Sequence, residues 1–301
     1  MSVRSTLKAC LEAGLVRSGV TTLHRAARGR HALVLAYHNV VPDDCPPFGD
    51  RSLHLPRSRF VGQIERLLST HAVVPLAQLL GPAPPGGRPR AAITFDDGYR
   101  GAVRIAVEEL ARRGVPATLF VVPGFVGKGP FWWDAVAAGD RGVDPAVRER
   151  ALGELSGKDA EVRGWAERAG LRPGTVPEWA LVASEQDLRD ATGHPGITLG
   201  SHTWTHPNLA RLTAPELREE LGRPLAWLRE RYSSVIPWVS YPYGLAGPAV
   251  EAAAREAGYA AALALGGAWF PPTGVNPWAV PRVNIPSGLS ENGFVMRTSG
   301  L

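Results

Sequence analysis

The sequence predicts an α/β fold in which a parallel sheet, wrapped by helices, closes into a barrel. Three observations carry that prediction. Seven short strand-like runs recur along the chain, at 31–37, 91–95, 117–122, 196–200, 235–241, 259–265 and 279–285. They are nearly continuous in apolar residues, as strands buried on both faces must be. Helical patterns fall between several of them, near 58–69, 100–113, 213–231 and 247–257, which is the alternation of a parallel sheet covered by helices. Seven such units suit a barrel better than an open sheet.

The chain opens with a helical pattern over residues 3–28, in which Leu7, Leu11 and Leu15 recur at i, i+4 and i+8 and Val3 and Val16 lie near the same side. Arg4, Lys8, Arg17, Arg25, Arg28 and Arg30 surround the stripe. Two readings stand: a basic amphipathic helix lying on an anionic membrane surface, or a helix packed on its own domain and weakened by Gly14 and Gly19. Glu12 and Arg17 interrupt any signal-peptide core, so the start reads as cytoplasmic, with membrane association through 3–28 left open. The domain expected after it runs over 31–290. A Pro/Gly loop, GPAPPGGRPR at 81–90, precedes the second strand. Residues 134–185 break the rhythm and read as an inserted cap of two or three short helices.

Composition limits the function. Of 301 residues, 45% are hydrophobic and 20% charged, which excludes whole-chain disorder. The net charge of +5 is spread out, with no basic stripe or reading motif for nucleic acid. Cys10 and Cys45 show no metal-site spacing and read as free thiols.

Chemistry concentrates after three strands, where parallel α/β folds place their active faces. ITFDDGY, Ile93 to Tyr99, ends a strand with Asp96 and Asp97 side by side. Adjacent carboxylates repel, and a cation resolves this if one ligates and the other remains a base; the alternative is an Asp capping a helix. GSHTWTHPNL places His202 and His206 four residues apart, the spacing that turns two imidazoles toward one metal. Asp97, His202 and His206 then form an open, catalytic kind of site. SYPYG, Ser240 to Gly244, forms a turn able to aim the Tyr243 N–H at a developing oxyanion. Trp132, Trp133, Trp204 and Trp238 are candidates to line a sugar groove.

The order TFDDG, then H-T-x-x-H, then P-Y-G resembles the NodB-homology polysaccharide deacetylases, carbohydrate esterase family four, over roughly residues 32–286. The resemblance implies a distorted (β/α) barrel, one divalent metal ion, usually zinc, and hydrolysis of N-acetyl groups on amino sugars. It implies Asp96 as catalytic base, Asp97, His202 and His206 as metal ligands, and the Tyr243 amide as oxyanion donor; Tyr99, Trp204 and Tyr243 are the candidates to touch the substrate. Two departures stand out. The family Arg two residues before Pro-Tyr-Gly is Ser240 here, and Arg282 in PRVN is the candidate replacement. The family's Leu-x-His general-acid segment is absent, since no histidine follows His206. His38, in LAYHNVV, is the candidate acid, because in a closed barrel a strand before the first motif can stand where the last one is missing. That arrangement resembles the circularly permuted biofilm-polysaccharide deacetylases. Deformylation, hydrolysis of another C–N bond such as a cyclic imide, and a carbohydrate-binding pseudoenzyme remain as alternatives.

Overall fold

A computed structural model describes residues 3–82, 87–137, 139, 141–267, 269–271 and 273–301, with side chains from Leu7 onward. The centre of the expected 81–90 loop, and the side chains of Val3 and Arg4, lie outside the described residues. Two helices, α1 (Val3–Arg17) and α2 (Val20–Ala27), lead into β1 (Ala32–Tyr37). A two-stranded ribbon follows, β2 (Asn39–Val41) with β3 (His54–Pro56), then α3 (Arg57–Thr70) and the short β4 (Ala72–Val73). The remaining strands are β5 (Arg90–Phe95), β6 (Ala117–Val121), β7 (Ile197–Ser201), β8 (Val235–Ser240), β9 (Ala261–Leu265) and β10 (Val280–Asn284).

Seven parallel strands, β1 and β5 to β10, close a barrel. The sheet runs in sequence order from β5 to β10, and β1 completes it by pairing with both β10 and β5. Leu35 stands opposite Val283 on one side and Ile93 on the other. The first strand of the chain therefore fills the gap between the last strand and the TFDDG strand.

Each barrel strand is apolar on both faces because both are covered. In β1, Ala32 and Val34 join Ala92, Phe120, Trp238, Leu263 and Val280 in a cluster that fills the barrel. Leu33, Leu35 and Tyr37 alternate with them and pack outward, with Ile93, Phe95, Leu119 and Leu199, under the helices. Continuing the inward row toward the strand C-termini gives His38, Thr94, Asp96, Gly200, His202, Ser240 and Arg282. The strand period thus puts a polar layer on top of an apolar plug. Trp238 and Trp132 belong to the core, at 5% and 1% exposure, rather than to a sugar groove as expected.

Outside the barrel lie α4 (Val107–Ala111), which continues a π-helical segment Ala102–Ala106, then α8 (Glu185–Thr192), α9 (Ala214–Arg231) and α10 (Pro248–Glu256). α9 starts at a capping box between Thr213 and Glu216 and buries Leu217, Leu221, Leu225 and Leu228. The segment expected as an insertion, 134–185, starts within α5 (Trp132–Ala135) and contains α6 (Pro145–Gly153) and α7 (Asp159–Arg168). It is pinned beside the histidine turn: the Asn208 N–H donates to the Ser156 carbonyl at 2.8 Å, and Lys158 pairs with Glu216 at 2.7 Å.

Two boundaries differ from expectation. The single helix predicted over 3–28 is broken at Gly19, whose φ of +80° a helix does not allow. Its leucine stripe faces solvent, and α1 instead turns Glu12 inward against Ser290. α11 (Glu291–Arg297), beyond the boundary drawn at 290, packs against α1 and α3.

Gly200 shows how tightly the barrel is filled. A Cβ there would lie 2.5 Å from the Phe120 ring. Gly200→Ala is expected to cost about 1–3 kcal/mol of stability by overpacking, read as a lowered midpoint in urea unfolding; an unchanged midpoint would contradict the packing described.

Candidate active site

The polar layer is organised around one ion pair. Arg282 Nη1 donates to Asp96 Oδ1 at 2.8 Å and Nη2 to Oδ2 at 2.7 Å. Both side chains are buried. Nη2 also donates to Ser240 Oγ at 2.8 Å, and Ser240 Oγ donates to Asp96 Oδ2 at 3.2 Å. Thr94 Oγ1 lies 3.3 Å from Nη1. Burial pushes the Asp96 carboxyl up, but Arg282 and His202 outweigh it and hold the group below its ordinary range. The guanidinium comes from β10, while the Ser240 position on β8 keeps only a hydroxyl.

Three ligand atoms converge next to this pair. His202 Nε2 and His206 Nε2 are 3.1 Å apart, and Asp97 Oδ1 lies 3.4 Å from the first and 3.3 Å from the second. All three residues are buried. A tetrahedral zinc ion with bonds of about 2.0–2.1 Å has ligand–ligand edges of roughly 3.3–3.4 Å, so the triangle fits a small divalent cation. His202 Nδ1–H donates to the Ser240 carbonyl at 2.7 Å, which leaves its Nε2 lone pair facing the triangle. Burial raises the Asp97 carboxyl, yet the two imidazoles beside it bring it well below its usual value.

The turn that carries the histidines is built for this. Thr203 and His206 both adopt positive φ, 66° and 61°. Thr203 Oγ1 accepts the His206 N–H at 3.0 Å. Glu220 on α9 accepts the Trp204 N–H at 2.9 Å, the Thr205 N–H at 2.8 Å and the Thr205 hydroxyl at 2.6 Å. Glu220 carries no motif; its signal would have been a buried acid on an amphipathic helix.

The Pro-Tyr-Gly turn lies across from it. Tyr243 sits at φ 58°, and its ring packs on His206 with centroids 4.8 Å apart. Gly244 follows at φ 69°, where a Cβ would meet Leu265 at 2.5 Å. His38, half-buried at the end of β1, lies near enough to Asp96, Asp97 and His54 to bear on the charge of each.

Other residues depart from expectation. Tyr99 has no exposed surface; its hydroxyl donates to Asp134 Oδ2 at 2.7 Å and accepts from Trp133 Nε1 at 2.8 Å, so it organises the wall instead of meeting substrate. Trp204 is half-buried with one face under the Arg223 guanidinium, 4.1 Å from the ring centroid. Trp133 is buried as well, at 7% exposure, stacked on Phe131 at 4.4 Å and 4.9 Å from the His206 ring. Asp134 was not singled out by the sequence. It is buried, and burial, reinforced by Asp97 and Asp50, pushes its carboxyl up to about 8 although Tyr99 donates to it.

A family model described as polysaccharide deacetylase matches residues 83–262. The chain belongs to the polysaccharide deacetylase family. Members of this family are hydrolases acting on carbon–nitrogen bonds. A comparison with curated protein sequences finds no match. Among solved structures, a polysaccharide deacetylase from Bacillus cereus superposes with a TM-score of 0.63 at 17% identity, covering 90% of this chain and 69% of the other. IcaB from Ammonifex degensii gives 0.61 at 17%, with 89% and 95% covered. The Streptococcus pyogenes deacetylase PplD, solved in complex with acetate, gives 0.60 at 13%, with 89% and 97% covered. At these identities the likeness is one of fold, and it extends over nearly the whole of this deacetylase.

Two outcomes are expected. Titration calorimetry of chelator-treated protein should give one zinc equivalent, absent in His202→Ala, and Glu220→Ala should weaken binding roughly 10–100-fold by loosening the turn; unchanged affinity in Glu220→Ala would refute the clamp. Asp134 in the folded state holds its proton up to about pH 8, whereas the unfolded chain releases it near the ordinary value of 3.8. Its contribution to stability is therefore full below that value and lost as pH rises toward 8. Asp134→Asn should remove that loss, so its melting temperature should gain on wild type between pH 5 and 8 (about three pH units); parallel curves would show that the carboxyl ionises freely.

Proposed function

We propose that this deacetylase removes N-acetyl groups from amino sugars, with Asp97, His202 and His206 holding one divalent cation, most simply zinc. The observation that carries the reading is the bidentate Arg282–Asp96 pair at 2.8 and 2.7 Å, set against a triangle of Nε2, Nε2 and Oδ1 atoms. The ligand set of two imidazoles and one carboxylate suits zinc and leaves coordination positions open. A cation bound there supplies a Lewis acid for the amide carbonyl and makes a water molecule more acidic.

The chain's own residues do the rest. Asp96, kept ionised by Arg282, takes the proton of the attacking water. The new C–O bond forms at the acetyl carbon, and the Tyr243 N–H stabilises the oxygen that gains charge. His38 delivers a proton to the sugar nitrogen as the C–N bond breaks, releasing the free amine and acetate. The Tyr243 ring borders the site beside His206, and aromatic faces favour sugar rings. Beside the histidine turn, a groove of ≈ 740 Å³ between Phe125, Pro130, Lys158, Thr205, Pro207 and Glu220 has room for neighbouring sugar units. The case for a binding pseudoenzyme rests on the missing family Arg; the contact of Arg282 with Asp96 supports the enzymatic reading instead.

The test is acetate release from N-acetylglucosamine oligomers and small N-acylated sugars by zinc-loaded protein, scored beside formate. Asp96→Asn should lose about 10²–10⁴-fold in turnover while keeping its zinc. Arg282→Lys should move the acidic limb of the pH–rate profile upward, because a single ammonium holds the Asp96 charge less well than a bidentate guanidinium. Near-wild-type turnover in Asp96→Asn would sink the assignment, and release of formate alone would move the reading to a deformylase.

A further inference from the structure

We infer that α1 and α2 form a docking surface for an anionic lipid bilayer, independent of the catalytic reading. Seven large hydrophobic side chains are well exposed among the described residues, and five of them fall on these two helices. Leu7 is 61% exposed, Leu11 60%, Leu15 39%, Val20 38% and Leu23 72%. Leu7, Leu11 and Leu15 lie within about 80° of the circumference of α1, given 100° per residue. The helix does not lack a place to bury an apolar face; it packs on α11, and there it buries Glu12. The arrangement is the reverse of a surface helix folded for its own domain, which turns its leucines in and its charges out.

The charge around the stripe identifies the occupant. Lys8, Arg17 and Arg30 are exposed, and Arg25 and Arg28 are half-buried. The one acid on the two helices, Glu12, accepts from Ser290 and lies 3.8 Å from Lys8. The neighbouring α3 adds Arg59 and Arg66 against Glu65, and α11 adds Arg297 against Glu291. A second copy of the chain would oppose like charge to like charge across this face. A bilayer with anionic headgroups offers an apolar layer for the leucines and negative charge for the flanking cations. No helix among the described residues is long and apolar enough to cross a membrane, so the contact is peripheral.

Co-sedimentation of the full chain with phosphatidylcholine vesicles, with and without phosphatidylglycerol, tests this. Wild type should partition onto the phosphatidylglycerol vesicles, and about 0.5 M salt should weaken that binding. Leu7→Ser/Leu11→Ser/Leu23→Ser should weaken it at least roughly tenfold, since each leucine surrenders its burial in the interface. Arg17→Glu/Arg30→Glu should do the same for the anionic vesicles alone. These side chains are exposed, so thermal unfolding and acetate release from soluble substrates should stay at wild-type values. Absence of wild-type binding to phosphatidylglycerol vesicles, or binding that survives the triple leucine change, would overturn the inference. So would a dimer in sedimentation equilibrium that the leucine changes dissolve, since the stripe would then be covered by a second copy.

Discussion

The Arg282–Asp96 ion pair is the constraint around which the barrel mouth is arranged. Both groups are buried, and a buried charge without a partner costs several kcal/mol. Each therefore fixes the other, and together they fix Ser240, whose hydroxyl bridges them and whose carbonyl orients His202. The pair spans β10 and the end of β5, with β1 inserted between those strands. Barrel closure and the charge state of Asp96 are thus one problem. If β1 did not seat between β10 and β5, the guanidinium would not meet the carboxylate across the opening.

Strain is concentrated in the same place. Among the described residues, five that are not glycine adopt positive φ, and four of them are Asp97, Thr203, His206 and Tyr243. Each such residue costs about 1–2 kcal/mol. The surroundings hold them there: Glu220 and Thr203 bond the histidine turn from behind, and Leu265 leaves no room for anything larger than Gly244. Sharp left-handed turns let residues close in sequence aim their side chains inward from the strand ends, which regular backbone would not permit.

The strand-forming runs were legible because period and burial agree. All seven predicted runs are barrel strands, displaced by at most two residues at an end. The helix over 3–28 was legible only as a pattern. A leucine stripe signals an apolar face, but whether that face is covered depends on what the rest of the chain brings to it, and here α11 meets the Glu12 side instead. The tryptophans misled for a similar reason. Trp238 is at a strand position whose parity points into the plug, and Trp132 and Trp133 are on a four-residue helix whose burial no periodicity marks.

The sequence by itself determined the alternation of strands and helices, the two adjacent carboxylates, the i, i+4 histidines and the order of the three motifs, because each depends on neighbours in the chain. It showed that an arginine was missing at Ser240 and that an arginine existed at 282. Only the tertiary structure decided that the two facts belong together. Forty-two positions separate Ser240 from Arg282 and 186 separate Asp96 from it, and nothing local couples them. Closure of a seven-stranded barrel brings β5, β8 and β10 to one rim, where the inward row of each strand ends at a common depth. Glu220 and Asp134 were hidden by the same physics, since their partners are reached across space rather than along the chain.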